Sequence, residues 1–257
     1  MCLLIILREV VPDWPLVIAA NREEHYDRPG EPPRLLCESP LVFGGRDPRA
    51  GGTWLAVNQW AMVCAVTNRP RTEMRAGEVR SRGLLCLDAA RQKSSIAVAD
   101  IIVRALAQDR YDGFNLFCLT PTGGSAFYFD GRLREKTVGA GPFVTTTGDA
   151  NDLSDPRVRR VHEMLDAGCP RPFPEWIERL EATCRDHRND PTGRDGLCKH
   201  GESAGTVSST ILAFHRRDPW IHLLRHCQGR PCQTPYETIA WPEDFFATAS
   251  AERQSGD

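Results

Sequence analysis

Cys2 carries the first chemistry in the chain. Removal of Met1, which a small second residue permits, would leave this cysteine with a free α-amine. Nucleophile and base would then share one residue: the sulfur can attack a carbonyl carbon and the amine can take the thiol proton. The α-amine has an ordinary pKa of about 7.7–8.0 and the thiol one near 8.5, so both ionise close to neutral pH. A neighbouring cation would raise the thiolate fraction, and Arg22 is the natural one. If residues 16–24 are extended, Ile18, Ala20, Arg22 and Glu24 share one face, and Val17, Ala19, Asn21 and Glu23 the other. Asn68 ends the run Val63-Cys64-Ala65-Val66-Thr67, where its amide can donate to a developing oxyanion. Each residue also has a plainer use. Cys2 could be a small buried side chain, Arg22 a solvated ion pair worth little, and Asn68 a turn residue before Arg69-Pro70.

The elements that must position these groups are mostly strands in the first half. Residues 2–7 and 16–20 are continuous apolar runs, separated by a turn with two prolines, and Asn21-Arg22-Glu23-Glu24 closes the second run in charge. Residues 27–40 are proline-rich and read as irregular. Strands follow at 53–57 and 61–67, with a turn at Asn58-Gln59. Residues 78–92 and 94–108 read as helices, 114–119 and 125–129 as strands, 156–167 and 173–186 as helices, and 209–214 and 220–224 as strands. The order is strands, helix pair, strands, helix pair, strands. One domain of layered sheets and helices over residues 1–249, with a disordered tail at 250–257, is the economical expectation.

At 257 residues the chain can bury a sizeable core. Its 32 basic and 34 acidic residues leave no global basic field for nucleic acid or an anionic membrane. Only three of the basic residues are lysines, an arginine excess that runs the length of the chain. No run approaches the roughly 18 apolar residues of a membrane helix. The start lacks the basic leader and long apolar segment of a secretory signal. The cytoplasm is therefore the expected compartment, with most of the ten cysteines as free, buried thiols.

A resemblance stands on several short motifs in a fixed order. They are Met1-Cys2, Ala20-Asn21-Arg22-Glu23-Glu24, Gly51-Gly52-Thr53-Trp54-Leu55, Val66-Thr67-Asn68, Ser81-Arg82-Gly83, Gly113-Phe114-Asn115-Leu116 and Gly205-Thr206-Val207-Ser208-Ser209-Thr210. In that order the chain resembles the NRDE family, also called the transport and Golgi organisation protein 2 family. That family in turn resembles N-terminal-nucleophile hydrolases with a cysteine at position 2, such as penicillin V acylases and bile salt hydrolases. The resemblance implies an α+β fold, a four-layer αββα sandwich. It implies Cys2 as nucleophile and base, Arg22 supporting the thiolate and Asn68 as oxyanion donor. Asn21, Glu23, Arg82 and Ser208 are the expected substrate-binding residues. The partner would be a small acyl or amide ligand. The alternative is a non-catalytic carrier holding haem, acyl-CoA or a lipid. Two departures bear on the site: the family's signature Asp is Glu23 here, and Val207 stands where many relatives have Arg.

Other groupings weigh less. Cys184-x2-His187, Cys198-x-His200 and His226-Cys227-x4-Cys232 offer zinc-type ligands, but no pair of Cys-x2-Cys knuckles accompanies them. No metal or cofactor is therefore expected. Asp149, Asp152 and Asp155 read as helix capping. Arg157, Arg159 and Arg160 read as a solvated basic helix start.

Overall fold

β-branched and aromatic runs, cut by turns rich in Gly, Pro, Asn and Asp, give this chain more strand than helix. The computed structural model describes residues 3–70, 78–187, 196–218 and 222–246. Cys2 and the expected tail at 250–257 lie outside the described residues. In chain order the elements are β1 (Leu3–Val11), β2 (Trp14–His25), β3 (Glu31–Glu38), β4 (Leu41–Arg46), β5 (Leu55–Asn58), β6 (Val63–Asn68), α1 (Arg82–Ala90), α2 (Ser95–Gln108), β7 (Phe114–Thr120), β8 (Gly123–Phe129) and β9 (Leu133–Thr137). They continue with β10 (Gly141–Thr145), α3 (Pro156–Leu165), α4 (Phe173–Arg185), β11 (Ala204–Phe214), β12 (Leu223–Cys227) and β13 (Glu237–Thr238).

The chain divides into two compact units. The first comprises Met1–Pro29 and Gly139–Ile239. Its antiparallel sheet has the order β10-β1-β2-β11-β12-β13, with α3 and α4 against one face. Leu3, Ile5 and Leu7 of β1, Val17 and Ala19 of β2, and Ile211 and Ala213 of β11 form that helix-facing core with Val158, Val161, Leu165, Trp176 and Leu180. The alternate residues Leu4, Ile6, Leu16, Ile18, Leu212 and Phe214 are buried as well. Burial on both faces is why these strands read as continuous apolar runs rather than as an alternation.

The second unit comprises Gly30–Val138 and Ala240–Asp257. Its sheet runs β3-β4-β5-β6-β7-β8-β9, all antiparallel. Val42, Ala56, Cys64, Val66, Leu116, Cys118 and Phe127 meet Leu85, Cys86, Ala89, Val98 and Ile102 of α1 and α2. Ser81 caps α1 by accepting from the Gly83 amide at 3.1 Å, and Ser94 caps α2. The Gly51-Gly52-Thr53 segment crosses α1 at its start. Thr53 N–H donates to the Gly83 carbonyl at 3.0 Å. A Cβ on Gly52 would lie 2.2 Å from the Gly83 carbonyl carbon, so only glycine allows this crossing. Two of the short motifs thus have a local structural reason.

The structure differs from the sequence reading at four places. Residues 27–40 are not irregular throughout, because β3 occupies most of them. It is an edge strand with register shifts between Glu31 and Arg34 and between Leu35 and Cys37, where Pro32 and Pro33 remove no ladder bond that the sheet needs. Strand β2 does not stop at Ala20. It runs to His25, because the Asn21 amide nitrogen, the Arg22 guanidinium and the Glu23 carboxylate are buried with partners. Strands β9 and β10 were not anticipated. β9, with the sequence LREKT, is a polar edge strand carrying little hydrophobic signal. Finally, β11 begins at Ala204, five residues before the expected start, and β12 lies at Leu223–Cys227 rather than 220–224.

Candidate functional site

The Asn21-Arg22-Glu23-Glu24 motif sits on β2, where the two-residue period sends neighbours to opposite faces. Asn21 and Glu23 point to the helix side. The Asn21 amide donates to the Cys184 carbonyl at 3.0 Å and the Leu197 carbonyl at 2.9 Å. It thereby ties β2 to the end of α4 and to the segment before β11. Glu23 forms a buried ion pair with Arg157 of α3, and Lys199 Nζ lies 4.0 Å from its other oxygen. The sequence reading of Arg157, Arg159 and Arg160 as a solvated basic start is corrected for Arg157 and holds for the exposed Arg159. Arg157 is only 4% exposed on Glu23, while Arg160 reaches Asp186 at 3.2 Å and Arg159 donates to the Leu153 carbonyl at 2.6 Å. The capping reading of the acidic loop holds, since Asp155 accepts from the Arg157 amide at 2.8 Å.

Arg22 points the other way, to the face that α3 and α4 do not cover. It is 4% exposed. Its guanidinium donates to the Arg28 carbonyl at 3.1 Å and lies 3.8 Å from a Glu24 oxygen. Ser208 of β11 is its register partner and is 2% exposed. Its hydroxyl has no hydrogen-bond partner among the described residues. Val207 is the extra residue of a bulge, since Thr206 pairs with Glu23 and Ser208 with Arg22. The arginine-to-valine departure therefore falls where the strand is locally re-aimed. On the β1 side, the pairing reaches Leu3 opposite Asn21 at the edge of the described residues.

In the second unit, Asn68 is the last residue of β6, opposite Phe114. Phe114 belongs to the helix-facing core, so the alternation puts Asn68 on that face and Thr67 and Asn115 on the other. Asn115 is fully buried, which the sequence reading did not single out beyond its motif. Its amide donates to Thr67 Oγ1 at 3.0 Å and its oxygen accepts from Arg69 at 3.1 Å. Arg69 in turn pairs with Asp130 at 3.2 Å. Arg82, at the start of α1, donates to the Gly113 carbonyl at 3.1 Å, which also accepts the Arg69 amide at 3.0 Å. Asn68 thus sits beside a network of Thr67, Arg69, Asn115 and Asp130. No single short motif in the sequence announces that network.

The remaining titratable groups of the first unit are mostly structural. His226 is buried between Thr210 Oγ1 at 2.9 Å and Gln228 Oε1 at 2.9 Å, and burial lowers its pKa. Cys184 is pushed up to about 11 and Cys227 to about 12, by burial first in each case. Tyr236, its pKa raised by burial, shares a 2.6 Å hydrogen bond with Ser209. The nine described cysteines are all free.

Solved structures share this architecture. A mutant of the conjugated bile acid hydrolase from Clostridium perfringens aligns over 95% of this chain and 98% of its own, with a TM-score of 0.53 at 11% identity. The Caenorhabditis elegans orthologue of N-acylethanolamine-hydrolyzing acid amidase aligns over 93% and 100%, with a TM-score of 0.54 at 11% identity. The fold is therefore the αββα sandwich of N-terminal-nucleophile hydrolases. The chain belongs to the transport and Golgi organisation 2 family, whose profile matches residues 1–216. The mouse transport and Golgi organization 2 homolog is 28% identical over 182 residues, which is 66% of this chain and 61% of that protein. The chain thus spans less than two thirds of that relative. No helix among the described residues is long and apolar enough to cross a membrane.

Proposed function

We propose that the chain is a hydrolase of the N-terminal-nucleophile type, acting on an amide or related acyl group through Cys2 of a chain that has lost Met1. The observation that carries this reading is Arg22: a buried guanidinium on the sheet face away from α3 and α4, held by the Arg28 carbonyl and Glu24, one position beyond the last described β1–β2 pair. Leu4 and Ile6 of β1 lie on that same face, and in the sequence Cys2 directly precedes this strand. Solved structures that share the fold include a conjugated bile acid hydrolase and an N-acylethanolamine-hydrolyzing acid amidase orthologue.

In this reading the α-amine of Cys2 takes the thiol proton as sulfur attacks the acyl carbon. Arg22 stabilises the thiolate; the expected oxyanion role of Asn68 is not carried over, because Asn68 lies on the helix-facing side of β6. Collapse breaks the carbon–nitrogen bond, and the amine leaves with the proton that the α-amine returns. Water then hydrolyses the thioester, releasing the acid and restoring the thiol. Ser208, with its buried hydroxyl opposite Arg22, is a substrate contact in this scheme. Arg82 contributes from the second unit. We assign Asn21 and Glu23 a positioning role instead of the expected substrate contact, because their polar groups are engaged with Cys184, Leu197 and Arg157 on the opposite face. The two units act as the single domain of residues 1–249, in a reducing compartment such as the cytoplasm.

An acyl-directed covalent probe tests the proposal. It should label the wild type at Cys2 and spare Cys2→Ala, and intact mass should show loss of Met1. Retention of Met1 in the natural host, or equal labelling of the two proteins, would sink it. Val207 favours a second reading, since it leaves the bulge without a charge: a carrier for an apolar acid, acyl-CoA or haem. In that case Cys2→Ala would bind such ligands as tightly as the wild type, and neither would react.

A further inference from the structure

Four side chains from three separate segments of the first unit converge on one point. His187 follows α4, Cys198 and His200 precede β11, and Cys232 follows β12. Ligand atoms of His187, His200 and Cys232 all lie within 4.8 Å of one another. Cys198 Sγ is 3.6 Å from Cys232 Sγ and 3.7 Å from His200 Nε2, and His200 Nε2 is 3.1 Å from Cys232 Sγ. The His187 and His200 rings are 5.2 Å apart.

We propose that His187, Cys198, His200 and Cys232 form a Cys2His2 site for a zinc ion. Tetrahedral zinc with bonds of about 2.3 Å to sulfur and about 2.0–2.1 Å to nitrogen has ligand-to-ligand edges of roughly 3.3–3.8 Å. The sulfur–sulfur separation of 3.6 Å and the Cys198–His200 separation of 3.7 Å fall in that range, and the 3.1 Å between His200 and Cys232 lies slightly below it. The two sulfurs are too far apart to be a disulfide, which needs about 2.05 Å. His187 also shows the outer contact that such ligands use. Its Nδ1 lies 3.2 Å from the Arg185 carbonyl, so it donates there and leaves Nε2 with its lone pair free. Two thiolates would balance the charge of the ion, their protons passing to solvent. Four protein ligands close the coordination shell, so the ion would be structural rather than catalytic.

The three segments explain what such an ion would do. Lys199 lies between two ligands, and its backbone pairs with Thr206, the Lys199 amide donating to Thr206 Oγ1 at 2.8 Å. The Thr206 amide donates back to the Lys199 carbonyl at 3.0 Å. The ion would therefore anchor the start of β11, two residues from Ser208, to the end of α4 and the turn after β12. The sequence reading set metal aside because no pair of Cys-x2-Cys knuckles accompanies these ligands. Of the groupings it weighed, Cys198-x-His200 stays whole, while Cys184, His226 and Cys227 go elsewhere.

The test uses the full chain without a histidine tag, purified with reductant and without chelator, and then reconstituted with cobalt(II). The expected result is one equivalent of bound metal per chain, by mass spectrometry of the metal. The cobalt form should show intense tetrahedral visible bands and a sulfur-to-metal charge-transfer band. Cys198→Ser and Cys232→Ser should lose the metal, and Cys37→Ser and Cys169→Ser should keep it. Should the two site variants fail to fold, the wild-type cobalt spectrum decides. Wild type that takes up no stoichiometric zinc or cobalt overturns the proposal. So does cobalt bound without the sulfur band, or full binding by both site variants. None of these readouts depends on Cys2 chemistry.

Discussion

Glu23 differs by one methylene from the family's usual Asp, and its surroundings show where the longer chain reaches. It meets Arg157 and lies near Lys199, all largely shielded from water. Removing one member of a buried pair leaves an uncompensated charge, at a cost of about 3–5 kcal/mol. Glu23→Ala should therefore lower the unfolding free energy obtained from urea titration by an amount in that range. The double variant Glu23→Leu/Arg157→Leu should recover much of the loss, because two apolar side chains leave no charge behind. A Glu23→Ala cost below about 1 kcal/mol would mean that the pair does not hold β2 to α3. Arg22, one residue earlier, was legible as a candidate from the period of the strand alone. What local sequence could not supply is the contrast between the two residues: Glu23 is consumed by a helix, while Arg22 is buried on the sheet face away from α3 and α4.

At the scale of elements, the crossing of Gly52 over the start of α1 makes a sharp prediction. Gly52→Ala puts a methyl group 2.2 Å from a backbone carbon, which no rotamer change relieves. Either the Thr53–Gly83 hydrogen bond or the Ser81 cap must give way. Overpacking of this kind costs about 1–3 kcal/mol, and the same loss should appear as faster hydrogen exchange in α1. Gly139→Ala is the control. A Cβ there meets nothing within 4 Å, so its effect should be neutral or stabilising by up to about 1 kcal/mol. Equal midpoints for the two variants would contradict the close crossing. The helices were readable because each carries an apolar stripe, and Ser81, Ser94 and Asp155 mark three of their starts. β3 and β9 were not, because edge strands tolerate proline and charge and so resemble loops.

Across the whole molecule, the buried thiols set an alkaline limit. The Cys184 pKa is raised to about 11 and that of Cys227 to about 12, chiefly by burial, against about 8.5 in an unfolded chain. Below about pH 8.5 both states hold these protons, and stability is unaffected. As pH rises above that value, the unfolded chain loses them while the folded one keeps them. Stability should then fall by up to about 1.4 kcal/mol per pH unit for each thiol. Urea midpoints at pH 8, 9 and 10, measured with reductant present, should decline across the series, and Cys184→Ala should flatten the decline. A level profile to pH 10 would show that the thiols ionise as freely folded as unfolded.

The sequence by itself determined the layered α+β order, the strand faces around Arg22 and the family motifs, because these depend on periodicity and on glycines and caps acting over a few residues. Tertiary structure alone decided three things. It brought Arg157 out of a basic run and onto Glu23. It joined Asn115 to Thr67 and Arg69, and it gathered His187, Cys198, His200 and Cys232 from three segments. The reason is distance along the chain: antiparallel strand pairing brings together residues tens of positions apart, and no local pattern records which of many cysteines, histidines or arginines will meet.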